Sequence, residues 1–370
     1  MTIEPDDCDP WTPSVHPGAD SDAEVEDDIE NGFDHHWEGD PNPSRSQHFL
    51  AHLPANFVPA VDELKVALDF IQATEAADLE NGDLDPASLA QLRNPPQETL
   101  IIEDENELLS LKYFLATIDA SQHTYINLRN VHNERYPADS LLSYDQIKKR
   151  AEQWSGIQPM IHHMCPNSCV AYTGPYASLD KCPECGESRY DPFQLEISGG
   201  KIKSPRQKLC TIPLGPQIQA LWRNPSMAVK MMHRRIVTKR ILEELQESNG
   251  IIPVYDDLYH GSEYLEACIR NDIKPDDTVM MGSMDGAQLY RDKQSDCWIF
   301  IWIFMDLSPD LRYKKAHVMP GAIVPGPSKP KKMDSFLFPT FHHIAALQKE
   351  GLTVWNSLKM NWSCQTSSFT

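Results

Sequence analysis

The sequence is poor in positive charge: 33 lysines and arginines stand against 54 aspartates and glutamates, a formal net charge of -21 over 370 residues. A protein that coats nucleic acid non-specifically needs clustered lysine and arginine, so this balance argues against that class of protein. It leaves open binding through a local basic patch. The imbalance is concentrated in residues 1–47, which hold fourteen acidic residues and one basic residue, Arg45.

Residues 1–47 also lack the regular spacing of apolar residues that helices and strands show. Such a segment buries too little apolar surface to offset the entropy of ordering its chain. We therefore predict a disordered acidic N-terminal tail over 1–50. A solvating tail is one interpretation, and a tail that binds a basic partner is the other.

The sequence has no apolar run long enough to span a bilayer. Its longest, Cys297 to Leu307, is eleven residues, and this length is typical of a buried strand. The N-terminus has neither the basic start nor the apolar segment of a signal peptide. We expect no membrane partner and a soluble, intracellular protein.

The nine cysteines do not suggest a disulfide framework, because their number is odd and five of them are scattered. The other four follow the pattern Cys165-x3-Cys169-x12-Cys182-x2-Cys185. Two close pairs separated by a dozen residues suit a tetrahedral zinc ion, since each pair occupies one tight turn. Four thiolates would close the site, so the predicted zinc is structural. The alternative is a set of buried free thiols.

A group of basic residues follows the cysteines, in a segment predicted to be helical over 213–248. Lys230, Arg234 and Arg235 share a helix face at three-to-four-residue spacing and are the predicted nucleic-acid contacts. The alternative is a solvated face whose charge offsets nearby glutamates. Those glutamates are Glu243, Glu244 and Glu247.

Three apolar runs, 278–284, 297–305 and 317–323, predict strands that form an antiparallel meander. Asp285 ends the first strand, where enzymes of the RNase H type hold a catalytic divalent metal. The alternative is an ordinary Asp-Gly turn. If the first two runs form a hairpin, Asp285 lies opposite a residue between Trp298 and Trp302, so Asp306 is too far along the second strand to share a metal with it. The region therefore offers one carboxylate of catalytic type and no clear second.

These motifs, in this order, resemble CACTA-type (En/Spm-type) DNA transposases of plants and fungi. The resemblance covers roughly 97–359 and includes the segments around the two cysteine pairs. It also includes Ile212-Pro213-Leu214, Met284-Asp285-Gly286 with Trp298, the proline-rich loop 323–330, a predicted helix over 336–348 with Pro339 in its first turn, and Gly351 to Trp355.

The resemblance implies cut-and-paste DNA transposition by metal-dependent strand cleavage and joining. It implies that Asp285 is the first catalytic acid and that it binds magnesium or manganese. It also implies that transposon-end DNA is the partner and that the protein is nuclear. Self-association as a homo-oligomer is left open. The family's second and third acids lie beyond this chain, and 360–370 no longer resembles the family. We therefore expect a truncated copy with an incomplete active site.

Two other functions remain in view: a zinc-dependent DNA- or protein-binding module without nuclease activity, and an active nuclease with rearranged acids. The predicted fold class is α+β. Along the chain we predict a disordered acidic tail (1–50), a helical domain (56–160), a four-cysteine zinc ribbon-like module (161–195), a helical segment (210–250), a partial RNase H-like domain with the three-stranded meander (275–359) and a tail outside the family (360–370).

Overall fold

Helices and strands are mixed in the computed structural model, which describes residues 59, 61–97, 100–288, 296–365 and 367–368. The predicted acidic tail, 1–50, lies outside the described residues. The described residues all belong to one unit that spans 56–370. The domain boundaries given above stay predictions.

The N-terminal part of the described chain is helical, and polar caps set where its helices begin. Asp85 accepts hydrogen bonds from the backbone N–H groups of Ala87 and Ser88, and Ser143 forms a capping box with Gln146. The helices are α1 (Asp62–Glu75), α2 (Pro86–Arg93), α3 (Glu105–Ala116), α4 (Gln122–Arg135) and α5 (Tyr144–Ser155).

The largest sheet is built on the predicted meander. Its strands are β1 (Met160–Met164), β2 (Gln207–Thr211), β3 (Thr278–Gln288), β4 (Asp296–Phe304), β5 (Met319–Pro325) and β8 (Ser367–Ser368), in the order β1-β2-β5-β4-β3-β8. Strands β3, β4 and β5 pair antiparallel in sequence order, as the three apolar runs predicted. Strands β1 and β2 extend the sheet beyond β5, and no motif had predicted them.

The remaining helices follow the cysteines along the chain. They are α6 (Pro192–Ile197), α7 (Leu214–Arg223), α8 (Pro225–Lys230), α9 (His233–Glu247), α10 (Ser262–Ile269), α11 (Pro309–Arg312) and α12 (Met333–Glu350). A two-stranded hairpin, β6 (Leu352–Asn356) with β7 (Asn361–Gln365), follows α12.

One face of the sheet carries the main core. Phe300, Trp302 and Phe304 alternate along β4 and are at most 4% exposed, and they belong to one apolar cluster with residues of α7 and α12. Gly321 on β5 gives these rings room, because a Cβ there would lie 2.6 Å from a ring atom of Phe300. Burying each phenylalanine stabilises the fold by about 1.5–3 kcal/mol.

The single helix predicted over 213–248 is three helices, α7, α8 and α9. Pro225 begins α8 because it has no N–H to continue the hydrogen bonding of α7. Asn224 caps the new helix by accepting from the N–H of Met227 at 3.2 Å. A second break, at Met231 and Met232, separates α8 from α9, so Lys230 lies on a different helix from Arg234 and Arg235.

Helix α12 also differs from expectation. The sequence predicted a helix over 336–348 with Pro339 in its first turn, but the helix begins at Met333 and contains Pro339 in its interior. An interior proline leaves the carbonyl four residues earlier, that of Ser335, without its helical donor. The hydroxyl of Thr173 fills that role by donating to the Ser335 carbonyl.

Candidate metal centre

The four predicted cysteines lie on two similar tight turns. In the first, the N–H of Cys165 donates to Val170 O at 2.9 Å and Ser168 adopts a left-handed backbone, with φ 55°. In the second, the N–H of Cys182 donates to Glu187 O at 2.8 Å and Gly186 is left-handed, with φ 75°. Each turn is closed by one antiparallel β-bridge, so both pairs are presented in the same way.

The two turns bring the four sulfur atoms together. All four Sγ atoms lie within 4.8 Å of one another, and those of Cys165 and Cys185 are 3.5 Å apart. Zinc–sulfur bonds of about 2.3 Å in a tetrahedron would place the sulfurs about 3.8 Å apart. The cysteines are free, since a disulfide bond needs sulfurs about 2 Å apart. This cluster can hold a metal such as zinc.

The electrostatic surroundings differ between the ligands. Burial raises the pKa of Cys182 to about 11 and raises the pKa of Cys169 as well. At Cys185, burial also acts to raise the pKa, but hydrogen bonds from the N–H of Glu187 and from other donors lower it to about 7. The exposed ligand is therefore the one whose thiolate form is most stabilised before a metal binds.

Asn167 is one of these donors, and the sequence analysis had not singled it out. Its backbone N–H donates to Cys165 Sγ at 3.4 Å, and its side-chain Nδ2 donates to Cys185 Sγ at 3.6 Å. Hydrogen bonds of this kind to ligand atoms orient the ligands and tune their basicity.

The first cysteine turn is fastened to the start of α12. The backbone N–H groups of Lys331 and Lys332 donate to Ser168 O and Cys169 O at 3.2 and 3.0 Å. The N–H of Ala171 donates to Ser335 Oγ at 2.9 Å. A metal that fixes the turn would therefore also fix the start of the helix that covers the sheet.

Helix α1 packs on the same module. The ring of Phe70 makes edge contacts with Tyr176 and Phe338, at centroid distances of 5.6 and 5.5 Å. Lys332 Nζ lies 2.7 Å from Glu63 on α1 and 3.7 Å from Glu184 in the second cysteine turn. The cysteine module thus connects α1 with the start of α12, two helices that are far apart in sequence.

Asp285 is not part of a comparable cluster. It lies opposite Ile299 on β4, is exposed, and its Oδ1 accepts from the N–H of Gly286 at 2.7 Å. Within the described ranges, the cysteine cluster is the one group of three or more histidine, cysteine or acidic residues placed to hold a metal. Asp306, as expected, does not join Asp285: it is 1% exposed and paired with Arg234.

Arg234 is buried and does not lie on a solvent-exposed basic face. This residue is 1% exposed, and its Nε donates to Asp306 Oδ1 at 2.9 Å while Nη2 donates to Pro275 O at 3.2 Å. The break between α8 and α9 places Arg234 in the first turn of α9, facing the sheet. A guanidinium so enclosed cannot contact phosphate from outside.

The other two predicted contacts do not complete a basic face. Arg235 has a side chain 9% exposed, pairs with Asp276 at 2.6 Å and lies over the ring of Trp222. Lys230 is half-buried at the end of α8, a different helix. The three residues therefore do not share a solvent face.

No protein-family model and no curated protein matches this chain. Among the described residues, every helix is too short or too polar to cross a bilayer. What the chain does must therefore be argued from its own residues and motifs.

Proposed function

We propose that this chain is a transposase-derived protein whose ancestral activity was cut-and-paste DNA transposition, and that a structural zinc ion stabilises its fold. The convergence of four cysteine sulfurs within 4.8 Å carries the zinc part of this proposal. The transposase part is supported by the resemblance of the ordered motifs to CACTA-type enzymes, and by the pairing of β3, β4 and β5 with Asp285 on β3. An RNase H-like catalytic domain would use such a meander.

The donor set fits zinc in chemical terms. Thiolates are soft ligands that select zinc over magnesium or calcium, and four of them leave no coordination position for a substrate. Bound zinc would hold the two cysteine turns together. The residues of the module would transmit that constraint to α1 and α12 through their own hydrogen bonds and packing.

Strand transfer is the part of the ancestral activity that the surroundings of Asp285 support least. Two-metal phosphodiester chemistry needs ions clamped by several carboxylates, and magnesium keeps most of its water around a single one. Asp285 has no such companions in the part of the chain that the structure describes. We therefore propose that the described region is catalytically incomplete, with magnesium or manganese belonging to the ancestral site.

A second candidate is a zinc-dependent DNA- or protein-binding module without nuclease activity. The isolation of Asp285 favours it, because an exposed Asp-Gly pair within a strand needs no catalytic explanation. Nuclear location and binding to transposon-end DNA belong to the first candidate by resemblance, and self-association as a homo-oligomer is open to both candidates.

Selection of DNA sequences by the zinc-loaded full chain tests DNA binding and catalytic incompleteness. The probe is a random-sequence duplex library, followed by a nicking assay on the selected duplex with magnesium or manganese. We expect selective binding without nicking above the level of the matched Asp285→Asn variant. Nicking that Asp285→Asn abolishes would overturn catalytic incompleteness. Failure to select any sequence would contradict DNA binding and favour the protein-binding form of the second candidate.

A further inference from the structure

The four cysteines are unequally covered. Cys165, Cys169 and Cys182 are at most 3% exposed, whereas Cys185 is exposed to solvent. Water, chelators and alkylating reagents can therefore reach the sulfur of Cys185 before they reach the others. How firmly Cys185 is held decides how well the whole site keeps a metal.

Asn167 is placed to hold that sulfur. It belongs to the first cysteine turn, yet its side-chain amide reaches across to Cys185 Sγ in the second turn, at 3.6 Å. Its backbone N–H meanwhile donates to Cys165 Sγ at 3.4 Å. One exposed residue thus contacts a sulfur from each turn, and these two sulfurs are only 3.5 Å apart.

We propose that the side-chain amide of Asn167 is a positioning group that keeps Cys185 on the metal and sets the rate at which the site loses zinc. This inference rests on the proposed zinc site. Four thiolates on one zinc ion carry a formal charge of about -2, and an N–H donor draws negative charge from the sulfur that it contacts. Loss of a single group of this kind typically weakens metal binding about 10- to 100-fold.

Two substitutions separate the effect of the hydrogen-bond donor of Asn167 from the effect of its side-chain shape. Asn167→Asp keeps the size of the side chain but replaces the donor with a carboxylate that repels a thiolate. Asn167→Ala removes the donor and adds no charge. Both variants keep the backbone N–H that contacts Cys165. Asn94→Ala is a matched control, because it removes another exposed amide, one that donates to Ala90 O at 3.3 Å on α2.

The test is zinc release from the full zinc-loaded chain to the chromophoric chelator 4-(2-pyridylazo)resorcinol. We expect release about 10- to 100-fold faster in Asn167→Ala, faster still in Asn167→Asp, and unchanged in Asn94→Ala. Iodoacetamide labelling read by peptide mass spectrometry should mark Cys185 first among the four clustered cysteines in every variant, and sooner in the two Asn167 variants. A purely structural role for Asn167 would not raise the labelling rate selectively at this one thiol.

The outcomes separate the two proposals. If all variants carry zinc, and release and Cys185 labelling do not change when Asn167 is replaced, the role of Asn167 is overturned and the zinc site stands. If the unaltered chain binds no zinc, the zinc site itself fails, and the inference fails with it.

Discussion

The hydroxyl of Thr173 donates to the carbonyl oxygen of Ser335, which Pro339 deprives of its usual helical donor. Both partners are buried, Thr173 at 3% exposure and Ser335 at 0%. The cysteine module therefore repairs a gap in the hydrogen bonding of α12, the helix that covers the core of the sheet. Through this contact the cysteine module and α12 stabilise each other.

Thr173→Val is expected to destabilise the fold by about 1–3 kcal/mol, because it keeps the shape of the side chain but leaves a buried carbonyl without a donor. The measurement is the free energy of unfolding from urea titration. Adding Pro339→Ala restores a helical N–H to Ser335 O, so the cost of Thr173→Val should be smaller in that background. Equal costs in both backgrounds would show that the two residues are not coupled.

Arg234 is expected to stabilise the fold and to have no direct contact with DNA. Replacing its partner by Asp306→Asn leaves a buried charge without compensation and should cost about 3–5 kcal/mol. Arg240→Ala is the control on the same helix: it removes an exposed pair with Glu244 and should cost less than about 1 kcal/mol. A stable Arg234→Ala protein with selectively weaker DNA binding would restore the original prediction of a nucleic-acid contact.

A pH dependence of stability is expected from His343. Its Nε2 accepts from the N–H of Gly215 at 3.1 Å. Burial, with a smaller contribution from His342, lowers the pKa of His343 from 6.5 to about 4. Between these values the unfolded chain binds more protons than the folded chain, so this contribution is complete above pH 6.5 and is lost as pH falls toward 4.

His343→Gln keeps an acceptor for Gly215 but does not titrate. The free energy of unfolding should therefore fall less between pH 6.5 and 4 in this variant, by about 3 kcal/mol. His123→Gln, at an exposed histidine of α4, controls for the loss of a histidine from the unfolded chain. Parallel pH profiles for the unaltered chain and His343→Gln would contradict this assignment.

Local patterns predicted those features that depend on neighbours in sequence. The spacing of the cysteines was enough to predict their cluster, because each pair closes its own turn. The apolar runs gave the strands β3, β4 and β5 to within a few residues, since buried strands need continuous apolar surface. Asp285 was expected opposite a residue between Trp298 and Trp302, and it lies opposite Ile299.

Features that depend on distant partners were missed. Strands β1 and β2 are short and carry histidines and lysine, and they become strands by pairing with each other and with β5. Arg234 has the sequence neighbours of a solvated residue, but its partner is 72 positions away. The interior position of Pro339 likewise depends on Thr173, which no pattern within α12 reveals.

The central claim is that one zinc ion holds Cys165, Cys169, Cys182 and Cys185 and that the fold depends on it. The most direct measurement is the zinc content of the purified full chain by mass spectrometry of the metal, combined with thermal unfolding before and after chelation. We predict about one zinc per chain, and a cooperative loss of stability when it is removed or when Cys165→Ser is introduced, because metal binding energy in such sites is folding energy. Purified chain without zinc, with stability unchanged by Cys165→Ser, would contradict the account.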